Sequence, residues 1–78
     1  MYLRISFVTQ SACNTYALIM KDEHIEFFTR SDNNDFYVIN VTSLFYDITE
    51  HYTVFCKDNK AFEISACDIR VLEIKEGE

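Results

Sequence analysis

The single glycine of this chain is Gly77, in the tail, and there is no proline at all. Every reversal of direction before the tail must therefore be made without the two residues that turn a backbone most readily. Asparagine and aspartate are the next best choice, because their short side chains bond to nearby backbone amides and tolerate the left-handed region. Asp22, Asn33, Asn34, Asp58 and Asn59 stand between apolar runs, where glycine would otherwise be expected. Turns of this kind, every 8 to 12 residues, suit short antiparallel strands.

The runs between these turns alternate. In "YLRISFVT", residues 2–9, Leu3, Ile5 and Phe7 fall on one side and Arg4, Ser6 and Val8 on the other. This period of two predicts a strand. "QSACN", residues 10–14, reads as a loop. "TYALIMKDEHIEFFTR" reads as a hairpin, with strands over 15–21 and 24–30 and Asp22-Glu23 at its tip. A single helix over 16–28 is the alternative there, set against Ile25, Phe27, Phe28 and Thr29, which favour strands. "SDNND", 31–35, is a loop, and "FYVINV", 36–41, is an almost wholly apolar strand suited to the centre of a sheet. "TSLFYDITEH", 42–51, has two readings: a bend followed by a strand, or a short helix near 42–50 capped by Thr42 or Ser43. "YTVFCK" (52–57) and "AFEISA" (61–66) form a hairpin about Asp58-Asn59, and a bend at Cys67-Asp68 leads to a final strand over 69–74. The expected architecture is mainly β: one domain over residues 1–75 with a solvated tail at 76–78, its small antiparallel sheet curled into an SH3-like or Sm-like partial barrel or a sandwich.

Chemistry is sparse. Nucleotide binding through a glycine-rich cradle needs glycines that the chain lacks. Cys13, Cys56 and Cys67 are odd in number and have no Cys-x-x-Cys spacing, so they read as reduced thiols rather than a zinc set or a disulfide framework. No cofactor is expected. His51 lies beside Glu50 and close to Asp47, and His24 lies among Asp22, Glu23 and Glu26. Both read as solvated groups, since an acid–base pair also needs a pocket. No apolar run reaches the length of a membrane helix, and the alternating start does not look secretory, so the expected location is the cytoplasm.

Thirteen acidic and seven basic residues give a formal net charge of −6. That balance argues against direct binding to nucleic acid or to an anionic membrane, and favours a basic protein partner. The chain also holds seven phenylalanines and five tyrosines. The neighbours Phe27 and Phe28, Phe36 and Tyr37, and Phe45 and Tyr46 send their rings to opposite faces of a strand. One ring of each pair leaves the core unless both faces are covered, and exposed rings mark interfaces. The expected contact set is Asp22, Glu23, Glu26, Phe28, Asp32, Asp35, Tyr37 and Tyr46.

The first functional expectation is thus a non-enzymatic binding module whose carboxylates take the place of phosphates before Arg and Lys. Small size, negative charge and missing catalytic motifs resemble the small inhibitors of phages and mobile elements that act on defence or nucleic-acid-binding proteins. The alternative is a self-assembling subunit, a homodimer or larger, pairing through edge strands near 2–9 or 69–74. A small enzyme or metal protein using His51 and Cys56 ranks last.

Overall fold

The computed structural model describes residues 1–30 and 36–76. The chain is mainly β, with one α-helix and two antiparallel sheets. In order come β1 (Tyr2–Phe7), α1 (Gln10–Asp22), β2 (Phe27–Thr29), β3 (Tyr37–Asn40), β4 (Ser43–Tyr46), β5 (His51–Phe55), β6 (Ala61–Ser65), a 3₁₀ turn at Ala66–Asp68, and β7 (Ile69–Lys75). Sheet A has the order β2-β3-β1-β7, and sheet B is the meander β4-β5-β6.

Every neighbouring pair is antiparallel, so β1 runs parallel to β2 with β3 between them, and β3 runs parallel to β7 with β1 between them. Two split crossovers are therefore interleaved. The helix makes the first, and the whole of sheet B makes the second.

The helix corrects the hairpin expected over 15–30 and the loop expected over 10–14. Thr9, in extended conformation, accepts the Ala12 amide on its hydroxyl at 3.0 Å and caps the helix. This satisfies one of the amides a helix start leaves unpaired. Ala12, Cys13, Tyr16 and Met20 are buried at helical spacing. That stripe outweighs the strand preference of the residues that follow it. Asp22 is consequently the last helical residue, and the positive φ falls on His24, at 56°. The Asp58-Asn59 turn forms as expected, with φ of 65° and 60°, and Glu50 takes a third left-handed turn at 62°. Asn33 and Asn34 lie outside the described residues.

Residues 42–50 form no helix. They build β4 and a turn closed by Asp47, whose carboxylate accepts the Thr49 amide, the Thr49 hydroxyl and the His51 amide. The first strand, expected at an edge, lies inside sheet A between β3 and β7.

One core joins all three parts. Leu3, Ile5, Tyr37 and Ile39 from sheet A meet Cys13, Tyr16 and Met20 from the helix and Val54, Phe62 and Ile64 from sheet B. Phe7 stacks on Tyr16 at 5.0 Å between ring centres. The Tyr16 hydroxyl donates to Asp68 at 2.8 Å and accepts the Ser65 amide at 3.1 Å, fastening the helix to the bend before β7. Desolvation is the main cause raising the Tyr16 pKa, and the bond to Asp68 adds to it.

Candidate functional surfaces

The outer face of sheet A, turned away from the helix, begins with the alternation of β1. Arg4 points outward between Val38 of β3 and Glu73 of β7. Its guanidinium lies 3.5 Å from the centre of the Phe36 ring and 2.8 Å from the Glu73 carboxylate. Phe36 is buried yet stands apart from the main core. Arg4 is thus a charged lid over a ring that lies outside the main core, drawn to it by the attraction of cation to ring. Ser6, also buried, keeps its hydroxyl unpartnered among the described residues. Phe28, on edge strand β2, stays 62% exposed.

The expected contact residues separate. Asp22, Glu23, Glu26 and Phe28 are all exposed and follow one another from the end of α1 into β2. Asp32 and Asp35 lie outside the described residues. Tyr37 does not belong to any surface: it is buried, its ring packs 5.2 Å from that of Phe27, and its hydroxyl accepts the Cys13 thiol at 3.2 Å. The expectation of an outward Tyr37 is therefore corrected; the helix covers the face of β3 that carries it.

Tyr46 is exposed, but on sheet B. Its ring lies 4.7 Å from that of Tyr52. Desolvation, then the charges of Glu50, Tyr52 and Asp47, raise its pKa, so an acidic fringe borders this ring too.

Sequence reasoning singled out Tyr46 and passed over Phe45, Phe55 and Ile48 as contact residues. The register places Ser43 opposite Phe55 and Phe45 opposite Thr53, so Phe45 and Phe55 are diagonal neighbours on the outer face of sheet B. They are 62% and 41% exposed, and Ile48 in the turn is fully exposed. The signal was the alternation of "YTVFC", where a buried Val54 obliges Phe55 to face out.

The titratable groups give little chemistry. The His51 ring nitrogen Nδ1 lies 2.9 Å from the Thr49 carbonyl oxygen, while the nearby Asp47 carboxylate is taken up by the turn. Burial raises the Cys56 thiol pKa, offset in part by Lys60, which makes it a poor nucleophile at neutral pH. Cys13 is buried and Cys67 exposed, and all three thiols are free. Among the described residues no group of three or more His, Cys, Asp or Glu could hold a metal ion, and no helix is long and apolar enough to cross a membrane. A polar cleft of about 290 Å³ lies between the α1–β2 loop and the β5–β6 turn, lined by His24, Glu26, Lys57 and Lys60 among others. It is bridged by the Lys60 ammonium, which donates to the His24 carbonyl at 2.7 Å.

No protein-family model, no curated protein and no solved structure matches the chain.

Proposed function

We propose that this chain is a non-enzymatic recognition module that docks the acidic end of α1, with Phe28 as its anchor, on a basic surface of another protein. The observation that supports this reading is the placement of charge on the helix. The first turn carries no acidic residue, whereas Asp22 ends the helix and Glu23 caps it. The carbonyl end of a helix carries partial negative charge and disfavours carboxylates. Two carboxylates there, with Glu26 close behind, lose a little stability and gather negative potential at one pole. Lys21 in the last turn opposes them in part, as does Lys60, whose ammonium donates to the His24 carbonyl.

An exposed aromatic side chain beside such a pole supplies buried area, while the carboxylates steer and orient. When the basic surface is one that holds nucleic acid, the carboxylates stand where phosphates would, and the effect is to block it, as small acidic inhibitors do.

Binding to an immobilised arginine-rich peptide tests the reading. The wild-type chain is expected to bind at low salt and to release as salt rises. The combined change Asp22→Lys, Glu23→Lys and Glu26→Lys abolishes that binding, and Phe28→Ser weakens it. Unchanged affinity after the triple charge reversal would overturn the assignment.

A further inference from the structure

Two sheets have four edges, and three of them are guarded. The β7 edge carries Arg70, Glu73 and Lys75. The β2 edge is three residues long. The β6 edge carries Glu63, and its Ser65 amide is taken by the Tyr16 hydroxyl of the helix. Charge, brevity and cover are the usual means by which a protein stops its edges from pairing. The fourth edge, β4, reads Ser-Leu-Phe-Tyr. It has no charge, and among the described residues no backbone bond outside the sheet reaches Leu44 or Tyr46.

The ladder shows which backbone groups of β4 are open. The Cys56 amide donates to the Lys60 carbonyl, and the Ala66 amide donates to the Glu50 carbonyl. Even-numbered residues of β5 therefore face β6, and odd-numbered ones face β4. The Asp47 amide donating to the His51 carbonyl agrees with this. Ser43 and Phe45 are thus bonded inward, and the amides and carbonyls of Leu44 and Tyr46 point out of the sheet.

We propose that β4 pairs antiparallel with β4 of a second copy of this chain, about a two-fold axis at Phe45. The pairing sets Leu44 against Tyr46 of the other copy, twice, so all the open backbone groups of both strands find partners. Phe45 then meets its own equivalent in the wide pair, where side chains approach closest. Shifting the strands two residues either way sets Phe45 against Ser43 or Asp47 and leaves its ring exposed. In the chosen register the outer faces join into one apolar stripe that runs through Phe55, Phe45 and their counterparts. Sheet B becomes a six-stranded sheet.

A four-residue pairing buries less than about 1,200 Å², which is the range of weak, reversible association. Each copy carries a net charge of −6, and no charged residue of β4 opposes another. Long-range repulsion is therefore what salt removes, and salt strengthens the pairing. Docking on a basic partner has the opposite salt dependence, so this inference stands apart from the proposed function.

Sedimentation of the whole chain up to about 500 μM, in the weak range of association, tests it at low and high salt. A monomer–dimer equilibrium that moves toward dimer at high salt is expected. Phe45→Lys is expected to weaken it by about ten-fold or more, with binding to the arginine-rich peptide unchanged. Phe45 is exposed, so the variant keeps its fold. Oxidation of Phe45→Cys, made together with Cys67→Ser, gives a disulfide-linked dimer, and Phe28→Cys in the same background stays monomeric. A monomer under all these conditions overturns the proposal, as does cross-linking at Phe28 equal to that at Phe45.

Discussion

Sheet A and sheet B face the same difficulty, a surplus of rings on short strands, and treat it differently. Sheet A turns Phe36 outward and covers it with Arg4, which is pinned in turn by Glu73. Sheet B turns Phe45 and Phe55 outward and leaves them bare. The edges differ as well: β7 of sheet A carries three charged residues and β4 of sheet B none, although β2 of sheet A is also uncharged and β6 of sheet B carries Glu63. Around one core, then, sheet A covers Phe36 but leaves Phe28 of its edge strand exposed, while sheet B leaves both Phe45 and Phe55 outward and uncovered.

The largest test of this contrast asks whether the sheets are separate bodies at all. Leu3 of sheet A is fully buried and Ile64 of sheet B nearly so, and both belong to one core. Leu3→Ala and Ile64→Ala are each expected to cost about 2–5 kcal/mol in a single cooperative unfolding transition followed by urea. Two separate transitions would mean that the sheets melt independently, and the comparison would become one of two units.

A smaller effect sharpens it. Arg4→Ala uncovers Phe36 and frees Glu73, for a loss of about 1 kcal/mol. Phe45→Ser removes a ring that is mostly exposed in the monomer, so stability below the dimerising concentration shifts by no more than about 0.5 kcal/mol. Equal losses from the two changes would show that the bare rings of sheet B are structural after all.

The smallest effect concerns how β4 is held. The Asp47 carboxyl titrates below its ordinary 3.8, chiefly through the Thr49 hydroxyl and against some desolvation, with the His51 and Thr49 amides helping. A lowered folded value means that the unfolded chain takes up the proton first. The stabilisation is present above the ordinary value and is lost as pH falls through the lowered one. Amide resonances of Thr49 and His51 are expected to shift in that acid range while those of β1 stay fixed. Asp47→Asn is expected to remove the shift.

The strands were legible where one face is buried and the other wet. Leu3, Ile5 and Phe7 alternate with Arg4 and Ser6, and Phe62 and Ile64 alternate with Glu63, and these strands appear within a residue or two of their expected bounds. The Asp58-Asn59 turn was legible for the same kind of local reason, since two small Asx-type residues between apolar runs have little else to do. The helix was not legible as a helix. Its buried stripe of Cys13, Tyr16 and Met20 was present, but Ile25, Phe27 and Phe28 directly after it spoke for strands, and the two patterns were merged into one hairpin. The cap at Thr9, three residues before Ala12, is the mark that separates them. Of the candidate contacts, exposed Phe28 and the acidic run before it could be found from residue type and alternation. Tyr37 could not be excluded, because what buries it is the helix that was missed. Nor could the open edge at β4 be told from the interior strand β1, since strand order depends on crossovers that no local pattern records.

The first and last strands of the described chain are ladder partners, Tyr2 lying opposite Lys75. During synthesis β1 therefore emerges long before the segment that completes its second side, and sheet A cannot close until sheet B and the 3₁₀ turn have been made and folded back. A nascent chain stalled before residue 69 would present β1, the strand with the most buried residues, as an unfinished border. Fusing a tag to either end places it beside the other end rather than across the molecule.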